Sequence, residues 1–458
     1  MPDLTTNCGG IVSPNPFWLA SAPPTNSGGQ VQRAFDAGWG GAVWKTLGNP
    51  IENVSSRLGG IDVDGRRLVG LNNIELITDR PLEVNLREIR EVKKRYPNHA
   101  VIVSLMVETK DEWKEIIKRS EDTGADGLEL NFGCPHGMCE RGMGSAVGQE
   151  PEVLREITSW VMEMATTPVL IKLSPSITDI LDVGVPAAEA GANGLSLINT
   201  VKSLIGVDLD RMVPMPRVGD ASTNGGYCGP AVKPIALHMV ASLARDSRVN
   251  IPISGIGGIS TWKDAAEFIA LGSTSVQVCT AVMHHGYRIV EDMLDGLNNY
   301  LDEKGMASVS ELVGAAVPGY KEWGDLDINY HVVADIDTEK CIGCQLCVPA
   351  CHDGAHQCIH PPGVDPIPGH RAPMAEEAKK RLAASMADTN RGDQQHFDDL
   401  YRVPWIDETE SVRCNLCQLV CPVDGCITMK EVPHPEGPKT WNERIAEGTA
   451  HVPGGLDD

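Results

Sequence analysis

Two stretches of this chain carry residue types whose spacing could do chemistry. The first is Asn131-Phe132-Gly133-Cys134-Pro135-His136-Gly137, with a glycine-punctuated run to Gly144 behind it. It sets an amide, a thiol and an imidazole on one turn after an apolar segment, a combination able to hold and move a proton. A lone Cys134 could equally be core filling, because free thiols are commonly buried and inert. The second stretch is Cys341-Ile-Gly-Cys344-Gln-Leu-Cys347-Val-Pro-Ala-Cys351, whose compact spacing is that of an iron–sulfur ligand run. Zinc sites instead space their cysteines as pairs separated by a longer loop. A partial repeat follows at Cys414-Asn-Leu-Cys417-Gln-Leu-Val-Cys421-Pro422, with Ser411 where a first cysteine would stand.

Two runs of this type imply two clusters with exchanged fourth ligands. Cys341, Cys344, Cys347 and Cys421 complete one set. Cys351, Cys414 and Cys417 belong to the other, whose fourth position is open among Ser411, a spare thiol (Cys358 or Cys426) and nothing. Cys139, Cys228 and Cys279 have no metal spacing and read as packing thiols.

The elements that must position the first stretch are short apolar segments alternating with amphipathic ones. Strands are expected at 17–22, 41–46, 100–106, 127–132, 169–173, 194–199, 251–256 and 275–280, and helices at 112–123, 153–165, 261–271 and 287–301. Eight strands with helical connections over about 300 residues predict a closed parallel (β/α)8 barrel, the TIM barrel, over an open doubly wound sheet. Ser21, Lys45, Asn131, Cys134, Lys172, Asn199, Thr200, Gly257 and Gly258 then fall at carboxyl ends of strands, where barrel enzymes build active sites. The glycines of Ser254-Gly-Ile-Gly-Gly-Ile259, followed by the turn at Thr280, suit a phosphate in the last two loops. Lys45 and Lys172 each need solvent or an anionic partner, because a buried unpaired ammonium is costly. Asn73 and Asn199-Thr200 offer donors and acceptors to a ring with alternating N–H and C=O groups, or serve as Asx turns.

The domain reading is a barrel over 1–310, a connector over 311–334, a ferredoxin-like domain over 335–430 and an extended tail over 431–458. An insert at 361–405, helical at 374–386, interrupts the second domain as a solvated excursion or a cover for the clusters. With 39 Lys+Arg against 62 Asp+Glu the net charge is −23, which excludes nucleic acid and anionic membrane surfaces as partners. No apolar run approaches the roughly 20 residues of a membrane span, and the N-terminus reads as neither signal nor transit peptide. Nine of the fourteen cysteines lie between Cys341 and Cys426, so they read as ligands in a cytoplasmic chain and not as a disulfide framework.

Together the segments NPFWLASAPPT, LNNIELIT, GLELNFGCPHGMCERGMG, INTVKS and ISGIGGI, with the two cysteine runs, resemble the dihydropyrimidine dehydrogenase family. The likeness is to its bacterial NAD-dependent flavin and iron–sulfur subunit, and covers the chain apart from the insert and tail. It implies FMN on the barrel's carboxyl face, contacted by Ser21, Lys45, Thr46, Lys172, Gly229, Gly257, Gly258 and Thr280. It implies that Asn73, Asn131, Asn199 and Thr200 hold a pyrimidine ring, with Cys134 as the general acid on a closing loop and His136 beside it. The implied reaction is reversible reduction of uracil or thymine to the 5,6-dihydropyrimidine. Electrons would come from NADH through a separate FAD- and NAD-binding subunit and two 4Fe-4S clusters, in a homodimer or heterotetramer.

Gly255-Ile-Gly-Gly258 lacks dinucleotide spacing, which agrees with a separate NADH subunit. Three positions depart from the family pattern: Gly133 and Ser176 stand where Ser and Asn are common, and Ser411 interrupts the second run. Rival readings are a dehydrogenase of dihydroorotate or another cyclic amide, and an electron-transfer subunit without catalysis.

Overall fold

In the computed structural model the described residues are 1–49, 57–60, 70–135, 142–354, 356–361, 403–408, 411–434 and 437–448. They form two compact units, 1–320 and 321–458.

Eight parallel strands close the first unit into a barrel: β1 Phe17–Leu19, β2 Gly41–Leu47, β3 Ala100–Leu105, β4 Gly127–Asn131, β5 Val169–Lys172, β6 Gly194–Leu197, β7 Ile253–Ile256 and β8 Ser273–Val278. Each expected strand is present. Closure is decided at β1, which pairs with β2 through Trp18↔Gly41 and with β8 through Val276↔Phe17. That double pairing removes the open-sheet alternative. It also buries a floor layer of Cys8, Ile11, Trp18, Val43, Ala100, Ile102 and Leu170, which an open sheet would leave wet. Full burial of one such aliphatic side chain contributes about 1.5–3 kcal/mol.

Outer helices cover the strands with apolar faces at helical spacing. Lys110–Glu121 buries Trp113, Ile116, Ile117 and Ser120 and starts at a capping box of Thr109 and Glu112. Trp262–Ala270 is capped the same way by Thr261 and Asp264. The hairpin Thr6–Cys8 with Ile11–Ser13 closes the amino end, where Trp18 Nε1 donates to Ser13 Oγ at 2.8 Å.

At the carboxyl end the barrel carries a four-stranded antiparallel sheet of Val201–Ser203, Gly225–Cys228, Leu71–Asn73 and Leu58–Gly60. Sequence periodicity did not reveal it, because three-residue strands are too short to show alternation.

The segment expected as a connector, 311–334, is structured. Gly314 and Ala316 donate to the carbonyls of Ile269 and Ala270 at 3.0 and 2.8 Å, and a strand begins at Tyr330. That strand, Tyr330–Ile336, pairs antiparallel with Ile427–Pro433 in the second unit, beside a smaller pair of Ile359–His360 and Trp405–Ile406. Helices Cys347–Gly354 and Leu416–Leu419 follow the cysteine loops. The tail expected as extended instead contains a helix, Trp441–Ala446, capped by Thr440 and Glu443. Most of the insert, 362–402, and its expected helix lie outside the described residues.

The short helix Ser145–Gly148 anchors the chain that returns from the Cys134 loop. A methyl at Gly148 would stand 1.9 Å from the Phe132 carbonyl oxygen, whereas one at exposed Gly29 meets nothing within 4 Å. Gly148→Ala should therefore destabilise the barrel by about 1–3 kcal/mol, and Gly29→Ala should add about 0.5–1 kcal/mol. Thermal midpoints of the two variants check the contrast.

Candidate active site

The carboxyl ends of the strands surround a cleft with about 1110 Å³ of empty space, part of it open to solvent. The cleft brings together Ser21, Lys45, Thr46, Asn73, Asn131, Cys134, Lys172, Asn199, Thr200, Gly229, Gly257, Gly258 and Thr280, every barrel candidate except His136. His136 and Cys139 lie outside the described residues. Ser176 is absent from the lining.

A chain of hydrogen bonds fixes the amides. Asn199 Nδ2 donates to Asn131 Oδ1 at 2.8 Å, and Asn131 Nδ2 donates to Thr46 Oγ1 at 3.0 Å. Thr46 Oγ1 also meets Ser21 Oγ at 3.1 Å and Ser104 Oγ at 2.9 Å. Asn199 Oδ1 accepts the Thr200 backbone N–H at 2.8 Å. An amide nitrogen carries two hydrogens. With one used on each, Asn131 and Asn199 both retain a donor suited to a ligand carbonyl. Asn73 Nδ2 donates to the Gly226 carbonyl at 2.9 Å. A methyl at Gly133 would fall 2.4 Å from Asn199 Cβ, so the glycine before Cys134 is what lets Asn199 occupy this position.

Cys134 is buried among Ile77, Met106 and Met143. Its carbonyl accepts the Ser145 N–H at 2.9 Å, and the Pro135 carbonyl accepts Asn224 Nδ2 at 3.0 Å. Gly144 turns at φ +58°, where a side chain would press to 3.0 Å from Cys134 Cβ. Pro135 and Ser145 are thereby both held close to Cys134.

The two lysines arrive paired. Lys172 Nζ lies 3.3 Å from Glu129 Oε1, both inside the barrel. Glu129 Oε2 accepts Ser196 Oγ at 2.8 Å and Gln277 Nε2 at 2.9 Å. Lys45 pairs with Glu75, which also takes Arg57 at 2.8 Å. Burial holds the Lys45 ammonium below the ordinary lysine range, and Glu75 opposes that shift. Glu129 and Glu75 were not singled out from the sequence. A signal for Glu129 existed, since a carboxylate inside the apolar strand Gly127-Leu-Glu-Leu-Asn131 requires a buried partner.

Residues fit to hold a flavin phosphate are Gly257 and Gly258, at φ +132° and +72°, with Gly229 at φ +112°. A methyl on Gly258 would come within 2.9 Å of the Gly229 carbonyl oxygen and 2.8 Å of Lys233 Cβ, so this cradle exists only as bare backbone. Lys233 itself is taken by Asp264 and Glu267 at 2.6 and 2.8 Å. Gln277 Oε1 is buried at the cleft without a hydrogen-bond partner among the described residues, an acceptor suited to a ring N–H. Cys228 and Cys279 are in the cleft wall, where burial pushes both thiols upward and keeps them protonated.

The second unit groups its cysteines around two cavities. One is lined by Cys341, Cys344, Cys347, Cys421 and Cys426, the other by Cys351, Cys358, Ser411, Cys414 and Cys417. Cys421 sits with the first run and Cys351 with the second, the exchange that paired cluster runs require. No three such groups among the described residues converge as a single-ion site.

The sequence profile of dihydroorotate dehydrogenase matches residues 3–301, and that of the 4Fe-4S binding domain matches 334–355. The chain belongs to the dihydroorotate dehydrogenase family. It is 38% identical over 439 residues to the NAD-dependent dihydropyrimidine dehydrogenase subunit PreA of Escherichia coli, covering 95% of this chain and 98% of that relative. It is 41% identical over 338 residues to the chloroplastic dihydropyrimidine dehydrogenase (NADP(+)) of Arabidopsis thaliana, covering 71% of this chain and 79% of that protein. The catalytic subunit of dihydroorotate dehydrogenase B (NAD(+)) from Pyrococcus abyssi is 37% identical over 318 residues, 69% of this chain and 99% of its own length. As a member of this family the chain is an oxidoreductase, and its second unit adds an iron–sulfur binding domain. No helix among the described residues is long and apolar enough to cross a membrane.

Removing one partner of a buried ion pair costs about 3–5 kcal/mol, since the other charge is stranded. Glu129→Gln should lose stability in that range, and adding Lys172→Met should return most of it. Urea denaturation midpoints of the single and double variants measure both.

Proposed function

We propose that this chain interconverts uracil or thymine and the corresponding 5,6-dihydropyrimidine. The observation that carries the reading is the likeness to the Escherichia coli subunit, which runs through both units, whereas the whole archaeal dihydroorotate subunit matches only 69% of this chain. The cleft supports it chemically. Lys45 and Lys172 are already matched by Glu75 and Glu129, so the wall suits a neutral ring better than the carboxylate of dihydroorotate.

In this reading Asn131 and Asn199 donate to ring carbonyls, and Asn73 and Thr200 complete the polar frame. The hydrogen-bond chain through Thr46 and Ser21 holds those amides before the ring arrives, so little orientation is left to be lost on binding. FMN, held by the Gly229, Gly257 and Gly258 cradle and by Thr280, supplies hydride chemistry when bound. Cys134, buried beside Met106 and Met143, holds the proton for the neighbouring ring carbon. His136, two positions on in the sequence, is a second proton-carrying group of the same motif. Lys45 and Lys172, each paired with its carboxylate, would offer N–H donors to the flavin ring.

The cysteine sets of the second unit would hold two clusters, which would supply one-electron chemistry toward a separate FAD- and NAD-binding subunit. NADH oxidation belongs to that partner.

The test is anaerobic titration of the purified chain with dihydrouracil, dihydrothymine and dihydroorotate, following flavin absorbance. Dihydrouracil or dihydrothymine should bleach the flavin, and Cys134→Ala should slow bleaching by about 10²-fold or more. Bleaching by dihydroorotate alone would replace the substrate assignment. A second measurement supplies NADH and uracil to the isolated chain: the expected turnover is negligible, and appreciable turnover would remove the need for a partner.

A further inference from the structure

The two ligand loops of the second unit share a backbone. In the first, Gly343 and Gln345 flank Cys344 at φ +69° and +57°; in the second, Arg413 and Asn415 flank Cys414 at φ +65° each. Left-handed backbone is uncommon outside glycine. The second loop thus keeps the ligand-loop shape although Ser411 has replaced its first thiol. Each cavity also has one thiol beyond its run. At the first it is Cys426, which lines the cavity with Cys341 and Cys421. At the second it is Cys358, which lies against Cys351 and lines the cavity with Ser411. The halves differ in one respect: Cys341 brings its own thiol and Ser411 does not.

We propose that Cys358 is the fourth thiolate of the second cluster, with Cys351, Cys414 and Cys417, and that Ser411 is its hydrogen-bonding neighbour and not a ligand. This rests on the two-cluster reading above. All four cysteines line one cavity with about 360 Å³ of empty space. Cys358 Sγ is 3.5 Å from Cys351 Sγ, and its backbone N–H donates to that same sulfur at 3.3 Å. Its position is held on both sides. The Cys358 carbonyl accepts the Asp407 N–H at 2.8 Å, the pairing continues through Ile359↔Ile406, and Gln357 turns at φ +58° just before it.

The donor chemistry separates the two candidates. Iron–sulfur clusters select soft thiolates. Ligation takes one proton from the Cys358 thiol, released to solvent as the iron–sulfur bond forms. Ligation by Ser411 would need an alkoxide from a hydroxyl far harder to deprotonate than a thiol. A hydroxyl beside a cluster sulfur instead acts as a donor, one of the levers on its potential.

The experiment is anaerobic reconstitution of the full chain with iron and sulfide, followed by iron and labile-sulfide counts. Electron paramagnetic resonance of the oxidised and dithionite-reduced protein accompanies the counts. The wild type should hold about eight irons, and Ser411→Ala should hold as many. Cys358→Ala should lose about one iron with a three-iron signal when oxidised, or about four with one reduced-state signal gone. Cys358→Ala combined with Ser411→Cys should regain the full count, and retained flavin absorbance in every variant reports a folded barrel. A full count and unchanged spectra in Cys358→Ala would overturn the assignment, as would loss of iron from Ser411→Ala alone. A wild-type count of about four irons would instead remove the two-cluster reading itself.

Discussion

Lys172 ends β5 and Lys45 lies near the end of β2, both at depths where an unpaired ammonium would cost several kcal/mol, and the barrel mouth is arranged around their carboxylates. Glu129 projects from β4 and reaches Lys172 on β5, Ser196 on β6 and Gln277 on β8. One carboxylate thus ties four strands, and only a closed barrel brings those four to a common interior. On the other side Glu75 is shared by Lys45 and Arg57, and Arg57 continues to Asp79 at 2.5 Å. Both positive charges that could greet a ligand are neutralised by the protein itself.

The amides above this layer are positioned by the same closure. Ser21, Thr46, Asn131 and Asn199 come from four different βα loops or strand ends, yet they form one hydrogen-bonded chain. Asn131 and Asn199 each spend one amide hydrogen in this chain and leave the other for a ligand. Gly133 belongs to this device, because a side chain there would collide with Asn199.

Sequence and structure meet differently in the two units. Cysteine spacing is local, so the runs at 341–351 and 414–421 were legible as cluster ligands before any fold was known. The choice among Ser411, Cys358 and Cys426 is a question of distance between segments, and spacing along the chain has no bearing on it. In the barrel, Asn131, Cys134, Asn199 and Thr200 were recognisable because polar groups at the ends of apolar strands violate the pattern around them, whereas Asn73 stood out only as an amide in the run Leu71-Asn-Asn-Ile74. Glu75 and Arg57 escaped notice because, on the chain, a charged residue in a loop looks like any solvated one.

The sequence by itself determined the eight strands, through the alternation of short apolar runs with amphipathic segments, and the identity of the cysteine ligand runs. It also determined the acidic balance of the chain. Tertiary structure alone decided that β1 meets β8, that the short strands between Leu58 and Cys228 form a sheet at the barrel mouth, and that each lysine has its carboxylate. It also decided which spare thiol faces which cavity. The physical reason is range: periodicity and spacing record what neighbours along the chain need, whereas charge pairing, closure and ligand exchange depend on residues that meet only once the chain has folded.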